Sequence, residues 1–279
     1  MTRLQVLKTY KIFIGGQFPR TESGRYYSLK GKDGFDIANV CLSSRKDARN
    51  AVVAARKAFG SWSERSAFNR GQIVYRIAEM LEGRRAQFVD EIMQVTGVSK
   101  VKAEKEVSDS VDRLVWYAGW TDKIASLSGS TNPVAGPFYN FTIPESMGVV
   151  AAIAPETPSL LGFIDVVAPI ITSGNTVVVL ASTKAPLSAM TFAEVLATSD
   201  LPHGVINILT GKKDEIAPWM ASHMDIDALD ISGLPAKLRT EIKVAGAENL
   251  KRIHSFKAAD PGRIIAFMEA KTVWHPIGL

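Results

Sequence analysis

From Met147 onward the chain alternates short, largely apolar runs with helical stretches, and this alternation constrains the fold more than any other feature. The runs Val149–Ala154, Thr176–Leu180, Val205–Leu209, Ala228–Ile231 and Arg252–Ser255 have the length of strands. Helical spacing fills the gaps at about Leu160–Ile171, Pro186–Thr198, Asp214–His223 and Ala236–Ala247. Buried strands joined by helical crossovers predict an α/β, doubly wound, Rossmann-like domain built on a parallel sheet covered on both faces. Such units place ligands beyond the carboxyl ends of the strands, so the turns after Ala154, Leu180, Leu209 and Ile231 are where binding chemistry is to be sought.

Upstream the pattern is different. Lys11–Phe18 reads as two short strands around a Gly15-Gly16 turn, with extended pieces near Tyr26–Leu29 and Ile37–Leu42. Ser44-Arg45-Lys46-Asp47 has the form of a capping box, in which the Ser44 hydroxyl accepts an orphan helix N–H while Asp47 reaches back. Helices follow at about Ser66–Glu82 and Arg84–Val95, and a longer one from about Ser99 towards Leu127 carries Val107, Val111, Leu114 and Val115 on one face. Trp116, Tyr117 and Trp120 are read as core packing. Leu127–Pro137, rich in Ser, Gly, Asn and Pro, is read as a linker that breaks this helix before the alternating aromatic strand Phe138–Pro144.

Composition narrows the function classes. A chain of 279 residues, 46% apolar and 22% charged, can bury a sizeable core. It has no apolar run of the ~20 residues a membrane helix needs. Met1–Tyr10 lacks a signal-like apolar core, and one cysteine, Cys41, permits no internal disulfide, so the expected setting is cytoplasmic. Cys41 itself reads as a structural thiol. The net charge of +5 is dispersed, as in Lys102-Ala103-Glu104-Lys105-Glu106, which argues against nucleic acid as a partner. The four histidines show no metal-ligand spacing, and no metal site is expected.

Several collinear stretches carry a family resemblance. Gly174-Asn175-Thr176-Val177-Val178-Val179-Leu180-Ala181-Ser182-Thr183-Lys184-Ala185-Pro186-Leu187-Ser188 resembles the G-N-T-V-V-L-K-P-S-E-x-T-P-L-S run of the aldehyde dehydrogenases. Pro144-Glu145-Ser146-Met147-Gly148-Val149-Val150, Leu201–Gly211 and Glu248-Asn249-Leu250-Lys251-Arg252-Ile253 are similar to that family's E-P-L-G-V-V, L-P-x-G-V-x-N-x-x-T-G and x-N-L-K-R-V segments. The resemblance implies the family's architecture: the Rossmann-like sheet, an N-terminal helical layer and a small oligomerisation β-flap. The expected division is 1–127 for the N-terminal strands and helices, 128–146 for the oligomerisation hairpin, 147–259 for the Rossmann-like half and 260–279 for the last helix and strand.

It also implies what this chain has changed. The family's ribose-binding Lys and Glu fall on Leu180 and Thr183, its oxyanion-holding Asn on Thr157, its pyrophosphate-binding Ser on Leu234 and its general base on Phe256. Glu156 adds a negative charge where an oxyanion would develop, and losing one oxyanion donor costs ~3 kcal/mol of transition-state stabilisation. The family's catalytic lobe, of the order of ~200 residues, would lie between Lys251-Arg252-Ile253 and the segment that begins at Asp260, where a join of about six residues, His254–Ala259, stands instead. Asp260–Trp274 resembles the family's C-terminus, and the whole is similar to the C-terminal non-catalytic domain of the two-domain aldehyde dehydrogenase family 16. The expectation is therefore a pseudoenzyme with no catalytic, cofactor or metal residues and no cofactor, NAD(P) at most weakly bound. It would oligomerise with itself or with a catalytic aldehyde dehydrogenase subunit through Phe138, Tyr139, Phe141, Ile143, Thr272, Val273 and Trp274. The alternative is an NAD(P)-dependent dehydrogenase subunit relying on a partner's catalytic lobe; a cofactor sensor without chemistry is a further rival.

Overall fold

The structure is a computed structural model that describes residues 6–278, so part of the Met1–Tyr10 reading lies outside the described residues. The elements run β1 (Thr9–Tyr10), β2 (Tyr26–Lys30), β3 (Asp36–Cys41), α1 (Arg45–Ser63), α2 (Ala67–Glu82), α3 (Arg85–Thr96), α4 (Lys100–Ala118) and α5 (Ile124–Ser128). They continue with β4 (Ser130–Asn132), β5 (Phe138–Ser146), β6 (Val149–Ile153), α6 (Leu161–Thr172), β7 (Thr176–Leu180), α7 (Leu187–Leu196), β8 (Ile206–Leu209) and α8 (Lys213–Ser222). The chain closes with β9 (Ala228–Asp230), α9 (Ala236–Ala247), β10 (Arg252–His254), α10 (Gly262–Ile265) and β11 (Met268–Pro276).

The central sheet has five parallel strands in the order β10-β9-β6-β7-β8. Its side chains alternate between two cores, as the two-residue period of a strand requires. Val150, Ala152, Val177, Val179, Ile206 and Ile208 face α6 and α7, outside which α2, α3 and α4 form the expected helical layer. Val149, Ala151, Ile153, Val178, Leu180 and Leu209 face α1 and α8. Both faces are thus covered, which is why these strands read as continuous apolar runs. The capping box is present, with the Ser44 hydroxyl accepting from Asp47 N and Asp47 accepting from Ser44 N at 2.8 Å.

Some expectations needed revision. The helix from Ser99 towards Leu127 stops at Gly119, and α5 is separate; Val107 and Leu114 are buried on its inner face, but Val115 is exposed. Of the three aromatics read as core, only Tyr117 is fully buried; Trp116 is exposed and packs edge-on against Tyr117 and Trp120. The Gly15-Gly16 turn forms with both glycines at positive φ, but its flanks are single bridges, Ile14 to Gln17 and Phe13 to Ile208 on the edge of β8. The linker holds a strand, β4, on the outer side of β5. The second outer strand of that small sheet is β11, which pairs antiparallel with β5 from Met268↔Ser146 to Pro276↔Phe138.

Candidate functional site

The loops after β6, β7, β8 and β9 converge at the carboxyl end of the sheet around a cleft of about 520 Å³. Pro155, Leu234 and Leu238 form its apolar walls, and Lys184, Lys212, Lys213 and Lys237 carry its positive charge. A larger groove of about 950 Å³ lies between α2 and α4, away from these loops.

The cleft is organised by an ion pair that local sequence patterns do not announce. Lys213, in the first turn of α8, has a side chain only 8% exposed and meets the Glu156 carboxylate at 2.7 Å. Its Nζ also donates to the carbonyls of Ala154 at 2.8 Å and Gly233 at 3.0 Å. The second Glu156 oxygen accepts from Ser182 Oγ at 2.7 Å and from Lys184 N at 3.0 Å. Burial pushes the Glu156 carboxyl up, but Lys213, the Lys184 amide and Ser182 together outweigh it and hold the group below its ordinary value. Lys213 behaves differently: burial draws its ammonium below the ordinary lysine value, and the pull of Glu156 only partly offsets this. The difference follows from exposure, because the lysine is almost wholly withdrawn from water while the glutamate keeps some contact with it.

Four of the substituted positions, Thr157, Leu180, Thr183 and Leu234, lie in or next to the loops at this end of the sheet. Leu180 and Leu234 are buried in the α1/α8 core and present no polar atom to the cleft. The Thr183 hydroxyl donates to Gly211 O at 2.8 Å. Thr157 is exposed on the loop before α6. At that helix start Glu106 of α4 accepts from Leu160 N at 2.8 Å. Gly233 reflects close approach: its amide donates to Ile153 O at 3.0 Å, and a Cβ there would run into the Ala154 carbonyl.

Beside the cleft, residues 255–261 carry the chain from β10 into α10. Phe256, half-buried, lies under the Arg263 guanidinium at 4.8 Å and near Phe267. Arg263 reaches Asp230 at the end of β9 at 2.9 Å, with side chains 3% and 0% exposed. Asp230 is further held by the Ser232 amide at 2.9 Å and by the Ser232 hydroxyl, which in turn accepts from Phe256 N at 2.9 Å. Cys41 is buried at the end of β3 and unpaired. Among the described residues no group of three or more His, Cys, Asp or Glu side chains is placed to hold a metal ion.

The flap is the second region of interest. Phe138, Tyr139 and Trp274 are 40%, 47% and 59% exposed, while Phe141, Ile143 and Val273 are half-buried. Phe138 and Trp274 meet edge-on at 5.8 Å, and the Thr142 and Thr272 hydroxyls lie 2.9 Å apart.

This parallel sheet with its carboxyl-end cleft defines a dehydrogenase-type fold, and the aldehyde dehydrogenase family profile matches residues 20–256: the chain belongs to that family. It is similar to retinal dehydrogenase 2 of Gallus gallus, 34% identical over 252 residues that cover 88% of this chain and 48% of the relative. It is also similar to the mitochondrial 10-formyltetrahydrofolate dehydrogenase of Mus musculus, 33% identical over 252 residues, covering 88% of this chain and 27% of the relative. An aldehyde dehydrogenase from Bacillus cereus superposes with a TM-score of 0.82 at 28% identity, covering 88% of this chain and 50% of that one. PnpE, solved in complex with nicotinamide adenine dinucleotide, superposes with a TM-score of 0.83 at 28% identity over 87% of this chain and 50% of its own. The chain thus spans half or less of the length of these relatives.

Those likenesses bear on two expectations. A structural neighbour is solved with NAD, and this likeness does not support the expectation that no cofactor is bound. Of the positions expected to have lost cofactor contacts, Leu180 and Leu234 are buried and the Thr183 hydroxyl donates to Gly211 O. Among the described residues no helix is long and apolar enough to cross a membrane, and some relatives are named as mitochondrial.

Proposed function

We propose that this chain is a non-catalytic member of the aldehyde dehydrogenase family, a structural or regulatory oligomerisation partner of a catalytic aldehyde dehydrogenase or of itself. The observation that supports this reading most is the join at 255–261. By the sequence resemblance Phe256 falls where the family has its general base, and the Asp230–Arg263 pair fastens the following helix directly to the end of the sheet. The single cysteine, Cys41, is buried and is not among the residues that line the cleft. Within the family, the sequence resemblance to the C-terminal non-catalytic domain of family 16 supports this reading, in which the chain acts in the cytoplasm and without a bound cofactor.

The rival reading, an NAD(P)-dependent subunit that borrows a partner's catalytic lobe, draws on the NAD-bound structural neighbour. Two measurements decide. The isolated chain is expected to form no NADH or NADPH above blank with a panel of aldehydes, and sedimentation is expected to give a mass above one chain, alone or mixed with a catalytic aldehyde dehydrogenase from the same source. Turnover by the isolated chain, or a one-chain mass under both conditions, would overturn the proposal.

A further inference from the structure

The cleft has a volume of about 520 Å³ and is lined by Lys184, Lys212, Lys213 and Lys237, and the acid Glu156 is held among them. The Glu156 carboxylate draws on three donors: Lys213 Nζ at 2.7 Å, Ser182 Oγ at 2.7 Å and Lys184 N at 3.0 Å. An ammonium, a hydroxyl and a backbone amide converging on one pair of oxygens is the donor set that a bound phosphate uses. The cleft is also lined by the exposed lysines Lys184, Lys212 and Lys237 and by Pro155, Leu234 and Leu238, an apolar surface against which a flat base can lie. Neither α8 nor α9 has a side-chain cap on its N-terminus.

We propose that Glu156 is a built-in stopper: its carboxylate takes the donors that a phosphate of a nucleoside diphosphate would occupy, so the cleft is a latent nucleotide site closed by one side chain of the chain itself. The inference rests on the cofactor-free reading of the cleft given above. A tethered carboxylate competes at the effective concentration of an intramolecular ligand, millimolar or higher, and it repels an arriving anion as well. Removing it leaves Lys213 without its carboxylate partner, while Lys212 stays paired with Glu215 at 3.2 Å and Asp214 is the other acid that lines the cleft. The burial that draws Lys213 below the ordinary lysine value means that this ammonium needs an anionic partner, and a bound phosphate would supply the one that Glu156 had provided.

The test is calorimetry on the full chain with ADP and, separately, inorganic pyrophosphate at millimolar concentration. It compares the wild type with Glu156→Gln, which keeps the volume, with Glu156→Ala, which opens the space, and with the double variant Glu156→Ala/Lys213→Met. Thermal melts with and without each probe give a second readout and show that each variant folds cooperatively. The wild type is expected to show no binding, and both single variants to bind ADP and pyrophosphate at least tenfold more tightly, with the gain lost in the double variant. A gain for ADP alone, or one that survives Lys213→Met, would overturn the claim that Glu156 stands in for a phosphate. No gain in either folded single variant overturns the stopper and leaves the partner proposal intact. Micromolar ADP binding by the wild type would overturn both.

Discussion

The carboxyl end of the sheet and the β-flap treat their polar and apolar groups in opposite ways. At the sheet end three polar groups are answered from within: the Glu156 carboxylate by Lys213, the Asp230 carboxylate by Arg263, and the Leu160 amide by Glu106. On the flap, β5 and β11 satisfy each other's backbone yet leave Phe138, Tyr139 and Trp274 exposed to solvent. A sheet end whose charges are paired internally, beside a surface that stays apolar, accords with the association proposed above, since exposed edges and aromatic patches carry an aggregation hazard unless a partner covers them.

That contrast can be broken first at the join. Arg263→Met would leave Asp230 charged and wholly buried, and breaking a buried pair from one side costs about 3–5 kcal/mol. Urea unfolding should show this loss, and Asp230→Asn added to Arg263→Met should recover more than half of it. A loss below ~1 kcal/mol would mean that the pair does not hold the sheet end closed.

Glu156→Gln should have a smaller effect with a pH signature. At pH 7 the loss of the ion pair to a nearly buried lysine is worth about 1–3 kcal/mol. The carboxyl lies below its ordinary value of 4.5 in the folded chain, so the unfolded state binds the proton more readily. The stabilisation is therefore complete above pH 4.5 and is lost as pH falls from there through the folded value. Chemical denaturation at pH 7 and in that acidic window should show the variant and wild type converging in acid. Parallel curves would assign the stability to packing instead.

The two regions also differed in how much of each could be read from sequence. The five strands of the central sheet were legible because burial on both faces writes itself as apolar runs, and the Ser44 cap because its partners lie three residues apart. Strand β4 was not, since Ser130-Thr131-Asn132 is polar, short and pairs only on one side. The end of α4 at Gly119 was hidden because helical periodicity continues past it through Trp120 and Ile124. At the site, the substitutions at Leu180, Thr183 and Leu234 were visible, but the direction in which Glu156 turns was not. Its partner lies in another crossover, and pairing across the sheet end leaves no local pattern; the paired lysines Lys212-Lys213 beside Gly211 were the only available signal. Arg263 was missed for the same reason, being brought to Asp230 only by the join.

The smallest expected effect on folding falls on the flap, where Trp274→Ser tests whether the exposed aromatics serve association. Trp274 is 59% exposed and touches Phe138 at one edge, so its loss should change folding stability by no more than ~0.5 kcal/mol. At an interface the same residue type is a frequent hot spot, where truncation costs about 2 kcal/mol or more, some thirtyfold in affinity. Sedimentation across a concentration series should therefore show the variant dissociating at markedly lower dilution than the wild type, with unchanged melts. Equal assembly of the two, together with unchanged stability, would show that this edge of the flap is ordinary solvated surface. The contrast between a closed cleft and an open flap would then reduce to the cleft alone.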